Sequence, residues 1–183
     1  MAPASDSPQQ PGQDGHTKRW VVMGVSGSGK STIGAALAHT LGVPFIEGDA
    51  FHPDRNVAKM SAGVPLNDDD RADWLKALAH EIATAHARGS GIVVSCSALK
   101  RRYRDVLRAA APGVRFAHLR GERETIAGRM ESRVGHYMPP ALLDSQLRDL
   151  EPLQDGEAGV TLDITLDPKA LVARINAMED TPG

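Results

Sequence analysis

The chain has 183 residues, 41% of them hydrophobic and 24% charged, enough for one compact domain with a full hydrophobic core. Its formal net charge is -2, which gives no global electrostatic basis for binding nucleic acid or an anionic membrane. The single cysteine, Cys96, excludes an intrachain disulfide and suits a reducing cytoplasm, and no apolar run approaches the roughly 20 residues that span a bilayer.

Residues 1–18 are rich in Pro, Gln, Ser, Asp and Gly, carry no apolar period, and read as a disordered tail. Strand and helix then alternate over 19–180. Trp20–Met23 reads as a buried strand ending at a glycine, and a helix follows from Lys30 to about Thr40, stopped by Gly42 and Pro44. Phe45–Glu47 is a second strand. Helical stretches at 54–62 and 68–88 are separated by Gly63 and Pro65. Gly91–Cys96 is a third strand, 100–110 a helix, and 114–119 a fourth strand. Helices at 122–133 and 140–150 precede a fifth strand near 161–166 and a last helix at 168–178. This alternation predicts a five-stranded parallel sheet covered by helices on both faces, with ligands beyond the C-terminal ends of the strands.

The first strand ends in Gly24-Val25-Ser26-Gly27-Ser28-Gly29-Lys30-Ser31, a complete G-x-x-x-x-G-K-[ST] motif. Its glycines let successive N–H groups turn inward on a phosphate, and the next helix adds its positive end. Lys30 would bridge the outer phosphates of ATP, and Ser31 would ligate Mg²⁺. With Thr32, residues 24–31 form the nucleotide-binding set.

Phosphoryl transfer to a hydroxyl also needs a group that takes or orients its proton. Asp49, just past the second strand, is the best-placed carboxylate for that task, and it reads equally well as a turn or helix cap. It is also the candidate partner of Ser31 for Mg²⁺, because the third strand ends in Ser95-Cys96 rather than an aspartate. His52 and Arg55 follow as candidates for hydroxyl and carboxylate recognition. Asn67-Asp68-Asp69-Asp70-Arg71 reads first as a helix cap with acids in the first turn. Lys100 and Arg104 share a helix face and form a second candidate anion anchor. Arg129 and Arg133, four residues apart, precede Gly135-His136-Tyr137. They suggest a lid over about 129–138 whose arginines act in the transition state, or simply solvent-facing arginines.

Taken together, 23–32, 47–53, Asn67-Asp68-Asp69-Asp70-Arg71 and Cys96-Ser97-Ala98-Leu99-Lys100-Arg101-Arg102-Tyr103-Arg104-Asp105 resemble the gluconokinase family in order and interval, and Gly135-His136-Tyr137-Met138 resembles its lid. The resemblance covers about residues 19–178. It implies a P-loop NTPase fold, three-layer α/β/α and nucleoside-monophosphate-kinase-like, with a mobile lid. It also implies ATP- and Mg²⁺-dependent phosphorylation of D-gluconate to 6-phospho-D-gluconate, feeding sugar-acid metabolism, and a homodimer. The acceptor side carries over to Asp49, His52, Arg55, Lys100, Arg104 and His136. Another small-molecule kinase of the same fold, shikimate-kinase-like or nucleoside-monophosphate-kinase-like, is the nearest alternative. The shikimate reading is disfavoured because that family shows Asp-x-Asp after the second strand, and Asp49 is followed by Phe51. A non-catalytic nucleotide switch is the alternative from another class.

Overall fold

The computed structural model describes residues 18–132 and 139–181. Five parallel strands form one sheet: β1 (Arg19–Met23), β2 (Phe45–Glu47), β3 (Ile92–Ser95), β4 (Val114–Arg120) and β5 (Gly159–Asp163). Their order across the sheet is β2-β3-β1-β4-β5. Every residue of β1 is buried, as is every residue of β3, as expected for central strands covered on both faces.

Among the described residues the α-helices are, in chain order, α1 (Lys30–Leu41), α2 (Asp54–Ser61), α3 (Asp68–Ala87), α4 (Arg101–Arg108), α5 (Arg123–Glu131), α6 (Pro140–Asp149) and α7 (Pro168–Ala177). Helices α1 and α7 pack together, and α3 packs on α4 and β3. The core is aliphatic around Trp20, Trp74 and Phe116, with Leu37, Leu78, Leu107 and Leu119 fully enclosed. Cys96 lies within it, and burial pushes its thiol up to about 12, so it is an inert core residue. Among the described residues no helix is long and apolar enough to cross a membrane.

The sequence boundaries hold to within a residue or two, except at β5, which runs 159–163 rather than 161–166. The strand begins early because Gly159, at φ 158°, lets the chain pass close against Phe116, where a Cβ would lie 2.1 Å from the Phe116 carbonyl oxygen. It ends early because the Asp163 carboxylate accepts from both the backbone N–H and the hydroxyl of Thr165, which turns the chain. The segment expected to be a tail, 1–18, lies outside the described residues except for Lys18, whose Nζ donates to the Leu41 carbonyl at 3.2 Å. Arg133 and His136 and most of the expected lid also lie outside them.

Candidate active site

The loop between β1 and α1 is built for an anion. Gly24, Gly27 and Gly29 hold φ of 149°, 81° and 97°, a region closed to most side chains. Gly29 is the N-cap of α1 and supplies no side-chain cap, so the first-turn N–H groups stay available to a phosphate. The Gly24 N–H donates to the Ser97 carbonyl at 3.3 Å, which ties this loop to the end of β3. Lys30 reaches back over the loop, its Nζ donating to the Val25 carbonyl at 2.9 Å. Ser31 is exposed in the first turn of α1, beside the cradle. Among the described residues no cluster of three or more His, Cys, Asp or Glu could hold a metal ion alone.

Asp49 is positioned by its neighbour. Gly48 opens a short 3₁₀ turn (Gly48–Phe51) directly after β2. Its N–H donates to Ser95 Oγ at 3.1 Å, and its carbonyl accepts from Trp74 Nε1 at 2.7 Å. The Ser95 hydroxyl in turn donates to Glu47 at 2.7 Å. Only glycine fits, because a Cβ would sit 1.9 Å from the Ser95 carbonyl oxygen. With Gly48 pinned on both sides, Asp49 is presented outward at the C-terminal edge of the sheet, where it is exposed.

His52 stacks on Trp74 with ring centroids 4.1 Å apart. Its Nδ1 lies 3.3 Å from the Asn56 side-chain nitrogen, which also donates to the Asp70 carbonyl at 2.8 Å. An amide nitrogen can only donate, so Nδ1 accepts and the His52 proton sits on Nε2. Burial lowers the His52 pKa, outweighing the opposing pull of Asp49, so the ring is neutral at physiological pH.

These pieces meet in a cavity of about 310 Å³ whose lining includes Ser26, Lys30, Asp49, His52, Arg71 and Gln146. Arg71 was read in the sequence only as part of a helix start. The cap itself is present: Asn67 and Asp70 exchange side-chain and backbone hydrogen bonds at 2.8 and 2.9 Å. One turn further, Arg71 is 6% exposed and faces the cavity. Its Nη1 donates to Tyr103 Oη at 2.9 Å and to Asp149 at 3.3 Å. Tyr103 donates to Asp68, which also pairs with Lys100 and Arg102. The Tyr103 hydrogen bond, joined by those two cations, pulls the Asp68 carboxyl down to about 2.

Three expected anchors are placed elsewhere. Arg104 is a correction: it is fully buried, and its guanidinium is spent on the protein. It grips Glu157 through Nε at 2.7 Å and Nη2 at 2.9 Å, and donates to the carbonyls of Ala98, Leu99, Glu151 and Pro152. Lys100 precedes α4 as its N-cap and pairs with Asp68 at 3.2 Å, outside the cavity lining. Arg55 is exposed and paired with Asp73 at 3.0 Å, also outside the lining.

On the other side of the phosphate loop, a second cavity of about 320 Å³ is lined by Gly27, Gly29, Thr32, Arg129, Leu166 and Pro168, among others. Arg129 donates to the Ile164 carbonyl at 2.7 Å. It therefore stands beside the phosphate loop on the face away from Asp49.

Residues 20–153 match the family model described as an AAA domain. The chain is 50% identical over 138 residues to the gluconokinase of Gluconobacter oxydans, covering 75% of this chain and 77% of that protein. The chain belongs to the gluconokinase family. The thermosensitive gluconokinase of Escherichia coli is 46% identical over 149 residues, covering 81% of this chain and 80% of its own. The crystal structure of a gluconokinase from Sinorhizobium meliloti superposes with a TM-score of 0.82 at 47% identity, covering 90% of this chain and 92% of that one.

Proposed function

We propose that this chain is a gluconokinase, transferring the γ-phosphoryl group of ATP to the terminal hydroxyl of D-gluconate to give 6-phospho-D-gluconate and ADP. The observation that carries the reading is the single cavity in which Lys30 of the P-loop faces Asp49, His52 and Arg71. Gluconate is a polyol with a carboxylate at one end and a primary hydroxyl at the other. It needs one cation, several hydrogen-bonding groups and one base, and the cavity offers each.

In this reading the N–H groups of residues 24–31 hold the phosphates, and Lys30 neutralises charge that develops on the transferring group. Ser31, with Asp49 as its candidate partner, would hold Mg²⁺, which would supply further positive charge. Asp49 accepts the hydroxyl proton as the new O–P bond forms and the bond to ADP breaks. His52 Nε2–H donates to a substrate hydroxyl. Arg71, oriented by Tyr103 and Asp149, holds the substrate carboxylate in place of Arg104. Arg129 and Thr32 serve the nucleoside end of the donor. Arg133 and His136 remain proposed lid residues, and the family resemblance supports a homodimer in the cytoplasm.

A coupled assay of ATP consumption over gluconate, shikimate, AMP and other sugar acids tests this. Turnover confined to gluconate and close analogues is expected. Turnover with another acceptor but none with gluconate would overturn it.

A further inference from the structure

Helix α6 reaches both halves of the cavity. Its Gln146 Oε1 accepts from the Ser26 N–H at 2.7 Å, a bond between residues 120 apart in sequence. Its Asp149, three residues on, accepts from Arg71. Residues three apart share a helix face, so one face of α6 touches the phosphate loop and the acceptor-side cation together. The helix is held in register at its far end. The Glu151 N–H donates to the Leu99 carbonyl at 2.7 Å, and Arg104 grips the carbonyls of Glu151 and Pro152.

The Ser26 bond fixes the sense of the Gln146 carboxamide. A backbone N–H can be answered only by the oxygen, so the nitrogen end points away from the loop backbone. Gln146 lines the same cavity as Lys30 and Asp49. Among the described residues its Nε2 meets no protein acceptor and is not sealed away from solvent. Two donors are therefore presented into the cavity that Lys30 and Asp49 also line, by a group whose oxygen is held by the Ser26 N–H.

We propose that Gln146 is a catalytic residue whose side-chain NH₂ donates to the terminal phosphoryl group as it is transferred. The Ser26 bond serves as its orienting clamp. The proposal rests on the kinase reading above. Preorganised donors aimed at developing negative charge need no reorganisation during the reaction, which is why such a group is effective there. It also gives α6 one task on each side: Gln146 on the donor phosphate, Asp149 on the acceptor anchor.

Two variants separate a donor from a clip. Gln146→Glu keeps an oxygen for the Ser26 N–H but removes the NH₂, and Gln146→Leu removes both. Each is compared with wild type for binding of Mg·ADP and of a non-hydrolysable Mg·ATP analogue by calorimetry, and for kcat. In both variants ADP affinity is expected to stay within about twofold while analogue affinity falls about tenfold and kcat about a hundredfold. Wild-type-like analogue affinity and kcat in Gln146→Glu would overturn the proposal and leave Gln146 a structural clip. Equal weakening of ADP and analogue in Gln146→Leu, restored in Gln146→Glu, would do the same. A wild-type chain that binds neither nucleotide would instead overturn the kinase reading, and this proposal with it.

Discussion

At the scale of single residues, two side chains divide the acceptor chemistry in the proposed reaction. Asp49, exposed at the strand edge, is its proposed base. Asp49→Asn preserves shape but replaces one acceptor oxygen with an NH₂ donor and removes the basicity. Its kcat should fall by about 10² to 10⁴ with nucleotide affinity little changed, measured by steady-state kinetics and calorimetry. Arg71 differs in kind: it is buried, oriented and cationic. Arg71→Met should raise the KM for gluconate by at least about tenfold, with thermal melting used to confirm that the variant is folded. Arg55→Ala should leave the KM close to wild type, because Arg55 spends its charge on Asp73 at the surface.

The sequence marked Asp49 and Lys30 because their meaning is local: a strand end, a glycine-rich turn, a helix start. Arg71, Trp74 and Gln146 were not legible in that way. Each sits at an ordinary helical position and acquires its role from a contact far along the chain, Gln146 through Ser26 and Trp74 through Gly48. Arg104 was misjudged for the same reason. The shared face of 100 and 104 was reasonable helix geometry, but the partner of Arg104 is Glu157, in a loop whose path no periodicity reveals. Lys100, the other member of that face, converges with Arg102 on Asp68 of α3, a pairing equally invisible to local spacing.

At the scale of elements, the fold was legible almost throughout, since alternating apolar strands and punctuated helices leave few arrangements for a parallel sheet. What positions the site is how elements are bolted together. The β2 end is fastened to β3 and α3 through Gly48. Gly48→Ala drives a methyl into the Ser95 carbonyl and should destabilise the protein by on the order of 3 kcal/mol, read by chemical denaturation. Because Asp49 follows directly, residual activity should fall further than stability alone accounts for. The second bolt is Arg104, which joins α4 to the 150–158 segment and holds the carbonyl of Ala98, at φ 43° the one non-glycine residue with positive φ among the described residues. Arg104→Ala leaves Glu157 enclosed without this main partner and should cost about 3–5 kcal/mol, seen as a large drop in Tm rather than a selective change in KM. That contrast with Arg71→Met separates the structural arginine from the functional one.

At the scale of the whole molecule, buried titratable groups set the acid limit of the fold. His118, in the middle of β4, is 1% exposed, and among the described residues neither ring nitrogen has a hydrogen-bond partner. Burial, joined by Arg104 and Arg120, pushes its pKa down to about 4 from 6.5. A lowered histidine pKa means that the unfolded chain takes up a proton that the folded chain refuses. Stability is therefore full above about pH 6.5 and falls as pH drops toward 4, by at most about 1.4 kcal/mol per pH unit. The lowered pKa of His52 acts in the same direction. Below that window the carboxylates take over. Glu157, which burial would raise, is held at about 2 by Arg104, the Gln154 N–H and Arg108, so its contribution is lost from about pH 4.5 downward. Denaturation midpoints across pH 4 to 7 should show this decline, and His118→Leu should flatten it.

The proposed reaction is one transfer, from a phosphate held by the P-loop to the far hydroxyl of a substrate whose proposed anchor is Arg71. Phosphorus NMR of the product formed from ATP and D-gluconate reads that transfer directly. A new phosphomonoester signal coupled to two methylene protons, as a phosphate on the primary C6 oxygen requires, is the predicted result. A signal coupled to a single ring or chain proton, or no monoester beyond the nucleotides, would contradict it.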